Sequence, residues 1–142
     1  MILSHRKFIE FVNRICLTVL LCYAGLLAQV RVCIDYSGDD YIGGSLVYQV
    51  KETLRKSTGM VLWPCESSTI QVRIITMDPE DIDYLTVYSV VWTVNHKAVY
   101  LFLHHLVGLC GTERIESTAL SIVSQTNQVI SMLQEAILKN GI

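Results

Sequence analysis

The stretch YLTVYSVVWTVNHKAVYLFLHH, residues 84–105, decides the fold predicted for this chain. β-Branched and aromatic residues dominate it, and such residues favour strands. The polar residues 95–97, Asn-His-Lys, interrupt it, and Asn tolerates the left-handed backbone of tight turns. The pattern predicts a hairpin with strands over residues 85–94 and 98–105. Because both strands are apolar on both faces, we expect either a sheet covered on two sides or one with a covered face and a partner surface.

The segments around the hairpin predict further strands and two helices. Alternating apolar residues indicate strands, and apolar residues three or four positions apart indicate helices. The strands are predicted over residues 30–36, 60–63 and 70–76, and the helices over residues 41–57 and 112–139. Two glycines within residues 107–111 are expected to end the last strand, and weak helix formers at residues 124–128 allow a break in the last helix.

The resulting order, β-α-β-β-β-β-α, predicts an α+β fold. We expect a mainly antiparallel sheet of four to five strands with two packed helices, in which the first strand is antiparallel or parallel through a right-handed crossover. The order resembles that of the small α+β modules found at the start of bacterial envelope proteins, such as the TolB amino-terminal domain. The resemblance rests on element order alone, implies a role in envelope assembly or partner docking, and transfers no site residues.

The beginning of the chain has the pattern of a signal peptide. The basic residues Arg6, Lys7 and Arg14 precede an uncharged apolar run over residues 15–28. That run is shorter than the ~20 residues of a membrane-spanning helix, and Ala28 offers a small residue for cleavage. We therefore predict a signal peptide over residues 1–28 and one α+β domain over residues 29–142, exported to the periplasm or the exterior. The alternatives are a retained membrane anchor facing the exterior and an ordinary buried helix.

Composition restricts the classes of partner. With 51% hydrophobic and 17% charged residues, the chain has enough apolar material for a core. Loss of residues 1–28 would remove three of the 11 basic residues and one of the 13 acidic ones, so the net charge would change from −2 to −4. Nucleic acids and anionic membranes require clustered Lys and Arg, so neither is predicted as a partner.

Three cysteines would remain after export. Cys65 and Cys110 both lie in predicted connections, which makes them the candidate disulfide pair. Cys33 lies on an alternating strand and is interpreted as a small buried hydrophobic residue.

One catalytic arrangement is conceivable from the sequence. Cys110 precedes a predicted helix N-terminus, where its thiolate would be favoured, and His104 or His105 could act as a base. Adjacent strand residues point to opposite faces, so at most one histidine could face Cys110, and no third group is identifiable. A small exported cysteine-dependent enzyme is therefore the alternative function. No metal site or cofactor is predicted, because no pair of ligands has metal-binding spacing and residues 41–45 lack the Lys-Ser/Thr of a phosphate loop.

The preferred prediction is a non-catalytic protein that binds a protein partner. Four hairpin aromatics are the candidates for this contact, and with only two helices available part of their surface could stay uncovered. They are Tyr84, Tyr88, Trp92 and Tyr100. The alternative is that these side chains form the core.

Overall fold

The computed structural model describes residues 29–79, 84–96 and 99–140, apart from the side chains of His96 and Asn140. Its elements are β1 (Val30–Ser37), α1 (Tyr41–Arg55), β2 (Met60–Leu62), β3 (Ile70–Met77), β4 (Leu85–His96), β5 (Val99–Gly111) and α2 (Ile115–Asn140). Single turns of 3₁₀ helix, Cys65–Ser67 and Thr112–Arg114, precede β3 and α2. The α+β prediction is confirmed, and the predicted signal segment lies outside the described residues.

The five strands form one mixed sheet in the order β2-β1-β3-β4-β5. β1 runs parallel to β2 and to β3, whereas β3, β4 and β5 pair antiparallel. The prediction of a mainly antiparallel sheet is therefore only partly right. Parallel neighbours need a long connection, and α1 supplies it between β1 and β2.

The connection between β2 and β3 crosses β1. Leu62 ends β2 and Ile70 begins β3, and both are level with Val32 but on opposite sides of β1. Residues 63–69 therefore step over β1 from one flank to the other. A disulfide between Cys33 and Cys65 fixes this segment on the sheet, with 5.0 Å between the two Cα atoms.

Both helices pack on one face of the sheet. Alternate residues of the central strands point towards them, and the core lies between the two layers. Its largest fully buried side chains are Trp92, Leu46, Leu54, Ile70, Ile74, Ile122, Val32, Val50, Val72, Val90, Val129 and Thr86. Asp40 caps α1, because its carboxylate accepts a hydrogen bond from the Gly43 N–H.

The hairpin is longer than the sequence predicts. β5 continues to Gly111 instead of ending near residue 105, and Gly108 pairs with Tyr88 on β4. A Cβ atom at Gly108 would lie 2.6 Å from the Tyr88 hydroxyl and 2.7 Å from the ring carbon that bears it. Glycine therefore does not end this strand but makes room for the tyrosine ring that lies across it.

The last helix forms as predicted, and the break that its weak helix formers allow does not occur. Helix α2 runs without interruption from residue 115 to residue 140. Thr126, one of its weak helix formers, is buried, donates a hydrogen bond to the Ile122 carbonyl at 2.8 Å and accepts one from the Trp92 indole at 2.9 Å. Tertiary packing therefore outweighs local helix propensity here. No helix within the described residues combines the length and hydropathy that a bilayer crossing requires.

Candidate functional site

The candidate site is the face of β3, β4 and β5 that points away from the helices, hereafter the open face. Strand register arranges its side chains in four rows across the three strands. From one end to the other, the rows are Met77–Val87–Leu109, Ile75–Ser89–Val107, Arg73–Val91–His105 and Gln71–Thr93–Phe102. The segment 63–69 covers the neighbouring β1, and no other described element covers the rows.

The first two rows are strongly apolar and exposed to solvent. Met77, Ile75, Val107 and Leu109 are between 45% and 61% exposed, although each is a large hydrophobic residue. Single exposed apolar residues are common on soluble proteins, but a contiguous group on one face is typical of an interaction surface.

A β-bulge sets which residues of β5 join the open face. Trp92 pairs with His104, whereas the next residue, Thr93, pairs with Phe102, so Leu103 is the extra residue on β5. The bulge reverses the alternation of side chains along β5. Phe102 and Tyr100 therefore lie on the open face. Unbroken alternation would have pointed both aromatic side chains at the helices.

The far end of the open face is polar. Asp35 on β1 accepts hydrogen bonds from Arg73 at 2.7 Å and from Gln71 at 3.1 Å. A hollow of about 390 Å³ lies beside this group, and its lining residues are Gln71, Arg73, Val91, Thr93 and Tyr100. Because Arg73 already has a carboxylate partner, this hollow does not present an unpaired charge.

A second hollow, of about 520 Å³, lies at the apolar end. Its lining residues are Tyr84, Leu85, Leu109, Gly111, Thr112, Glu113 and Arg114. The open face therefore has one apolar and one polar end, each beside an open hollow, which suits a broad contact better than a small enclosed ligand.

The edge strand beside the open face, β5, has little protection against pairing with another chain. β5 has 13 residues and contains no Lys, Arg, Asp, Glu or Pro. Natural edge strands usually carry charges or proline, because an exposed backbone edge can pair with another chain. The bulge at Leu103 is the one such device that β5 has.

The four aromatic candidates divide between the two faces. Tyr84 and Tyr100 are more than half exposed and line the two hollows, and their role in partner binding stays a prediction. The expectation that Tyr88 and Trp92 could be exposed is wrong, because both are buried on the helix side. The sequence alone does not identify Phe102, Val107 and Leu109 as members of one surface. Only the bulge and the full length of β5 place them on a common face.

The predicted disulfide has the wrong partner. Cys65 pairs with Cys33 and not with Cys110, because the segment 63–69 passes directly over Cys33 on β1. Cys110 is a buried free thiol on the helix side. Burial raises the pKa of the Cys110 thiol, and a hydrogen bond with Thr118 opposes that rise.

The candidate catalytic residues are not brought together. His104 lies on the helix side with its ring centroid 5.5 Å from that of Trp92, whereas His105 lies on the open face near Phe102. Cys110 lies six positions after His104 in an extended strand, a distance of roughly 20 Å. The thiol therefore has neither histidine as a base, and its raised pKa disfavours the thiolate that nucleophilic chemistry needs.

The other candidate sites gain no support from the geometry. Among the described residues, no three His, Cys, Asp or Glu side chains cluster as metal ligands do. At the start of α1, the Asp40 carboxylate accepts hydrogen bonds from the Gly43 N–H and from the Thr76 hydroxyl. An anion such as phosphate would have to displace this carboxylate.

Comparison with known proteins identifies a similar fold but no family. No family model matches the chain, and no curated protein matches it. The structure is similar to TolB from Acinetobacter baumannii, with a TM-score of 0.52 and 11% sequence identity over 72% of this chain. This likeness concerns the fold alone, and the chain spans only 28% of that TolB chain.

Two more distant structures also align. The hypothetical protein CT253 from Chlamydia trachomatis has a TM-score of 0.41 and 7% identity, over 79% of this chain and 99% of that one. Protein XCC0632 from Xanthomonas campestris, of the family DUF330, has a TM-score of 0.44 and 9% identity, over 78% of this chain and 89% of that one. Neither is similar enough to support a conclusion.

Proposed function

We propose that the chain is an exported, non-catalytic protein that holds a protein partner against its open face. The observation that carries this proposal is the contiguous apolar surface around Val107 and Leu109, which is solvent-exposed on an edge strand without Lys, Arg, Asp, Glu or Pro. A protein partner fits this surface because it extends over three strands and is largely without charge.

Export to the cell envelope is the compartment that we propose. The apolar run over residues 15–28 has the length and flanks of a signal peptide. The Cys33–Cys65 disulfide favours an oxidising compartment, where such bonds persist. The fold likeness to part of TolB, an envelope protein, agrees with this location.

The compartment is tested by the intact mass of the protein from its host, measured with and without reduction and thiol labelling. We expect a chain shortened by about 28 residues, one thiol that labels only after denaturation, and two more that label only after reduction. A full-length chain with all its cysteines reduced would place the protein in a reducing compartment and contradict export.

The binding surface is tested by photo-crosslinking in the living host. A photoreactive phenylalanine analogue replaces Phe102, which is 63% exposed on the open face, or Tyr48, which is 64% exposed on α1. We expect a discrete protein adduct from position 102 and much less from position 48. Equal yields at the two positions, or none at 102, would contradict the proposed surface.

A further inference from the structure

We propose that the partner on the open face is a second copy of this chain, so that two sheets pack face to face in a homodimer. This inference rests on the proposed function and names its partner. Sheets that pack in this way lie ~10 Å apart and enclose a core made from the side chains of both inner faces.

The apolar area of the open face matches what such a dimer needs. Six of its side chains, Ile75, Met77, Tyr100, Phe102, Val107 and Leu109, are between 45% and 63% exposed. Together they present on the order of 600 Å² of surface, when each is given a full area near the lower end of the roughly 150–250 Å² of an aromatic side chain. A stable protein interface buries ~600–1,000 Å² from each partner, so these six side chains alone reach the lower end of that range.

The charge of the open face permits contact with an identical face. Among the four described rows, Arg73 is the only Lys, Arg, Asp or Glu side chain, and the Asp35 carboxylate binds it. Two copies therefore meet without a row of like charges, which would oppose self-association. A strongly basic or acidic partner would find no opposite charge to recognise here.

The two-fold arrangement also accounts for the distribution of exposed aromatic groups. Phe102 and Tyr100 are placed on the open face by the bulge, and aromatic side chains are enriched at the centres of protein interfaces. In an isologous dimer each residue of the face is used twice, so one modest patch forms a complete interface core.

Sedimentation analysis of the protein in its native processed form tests this inference. We compare wild type with Leu109→Lys on the open face and with Leu120→Lys on α2, because these leucines are 61% and 54% exposed. We expect dimers for wild type and Leu120→Lys at micromolar concentration, and at least tenfold weaker association for Leu109→Lys. Val107→Lys serves as a second open-face variant, and circular dichroism verifies that each variant is folded.

The outcomes separate this inference from the proposed function. A wild-type monomer at every accessible concentration, or a dimer that both open-face lysines leave intact, overturns the homodimer. If a crosslink from position 102 then contains a different protein, partner binding by the open face holds while self-association fails. If position 102 gives no adduct and the protein is monomeric, both proposals fail.

Discussion

Replacement of Thr126 by Val tests the buried hydrogen bond that joins the sheet to α2. The Trp92 indole N–H donates to the Thr126 hydroxyl at 2.9 Å, and neither side chain is exposed to solvent. Valine has nearly the same shape as threonine but cannot accept this bond. An unsatisfied buried donor costs about 1–3 kcal/mol, and the added methyl group recovers at most about 0.8 kcal/mol. We expect the free energy of unfolding to fall by about 1–2 kcal/mol.

Thr53→Val is the matched control for this substitution. The Thr53 hydroxyl donates to the Gln49 carbonyl at 2.8 Å, as the Thr126 hydroxyl donates to the carbonyl four residues earlier, also at 2.8 Å. Only Thr126 also accepts a bond from a buried indole. We expect Thr53→Val to change the free energy of unfolding by less than ~0.5 kcal/mol, because it leaves no buried donor unpaired.

Urea unfolding followed by circular dichroism measures both variants, and a Trp92→Phe background completes the test. Without the indole donor, Thr126→Val should cost no more than the control, which gives a coupling energy of about 1 kcal/mol in the double-mutant cycle. Equal losses for Thr126→Val and Thr53→Val in the wild-type background would refute the reasoning.

Three further predictions concern the backbone, the disulfide and the free thiol. Gly43→Ala should lower the free energy of unfolding, measured in urea, by at least ~1 kcal/mol, because the added Cβ atom would collide with the Thr76 hydroxyl. In the matched variant Gly44→Ala the added Cβ atom meets no atom within 4 Å, so this variant should be more stable by ~0.5–1 kcal/mol. Reduction of the disulfide should lower the free energy of unfolding by about 3–4 kcal/mol, because the bond joins cysteines that are 32 positions apart. Equal urea midpoints with and without reductant would contradict this. Burial raises the pKa of the Cys110 thiol in the folded protein, so the thiol of the unfolded chain ionises first as the pH rises. The free energy of unfolding should therefore fall above pH ~8.5. A Cys110→Ala variant should lose this part of the pH dependence.

The sequence carries enough information for the types and order of the elements. Residues 85–94 and 70–76 consist largely of β-branched and aromatic residues, and the structure places β4 and β3 there. Asp40 directly precedes the predicted helix over residues 41–57, a position where Asp commonly caps, and its carboxylate accepts a hydrogen bond from the Gly43 N–H at the start of α1. These features depend on neighbours within a few positions, so local patterns are sufficient to predict them.

The composition of the candidate site depends on distant contacts, which local patterns do not contain. The bulge at Leu103 decides the side to which Phe102 points, and a shift of one residue reverses a whole face. The disulfide partner of Cys65 depends on the path of residues 63–69 over β1, which follows from strand order and not from spacing. The burial of Trp92 is equally hard to predict from local patterns, because its hydrogen-bond partner Thr126 lies 34 positions away in the sequence.

The central position of β1 has a consequence for how the chain acquires its structure. β1 is made first, yet both strands that flank it lie later in the chain, and β3 is complete only at Met77. An emerging polypeptide therefore carries β1 with both backbone edges unpaired until β2 ends at Leu62, and with one edge unpaired until β3 ends at Met77. Unpaired strands are prone to aggregation. If the chain is exported as proposed, we expect a chaperone to hold this segment until β3 arrives.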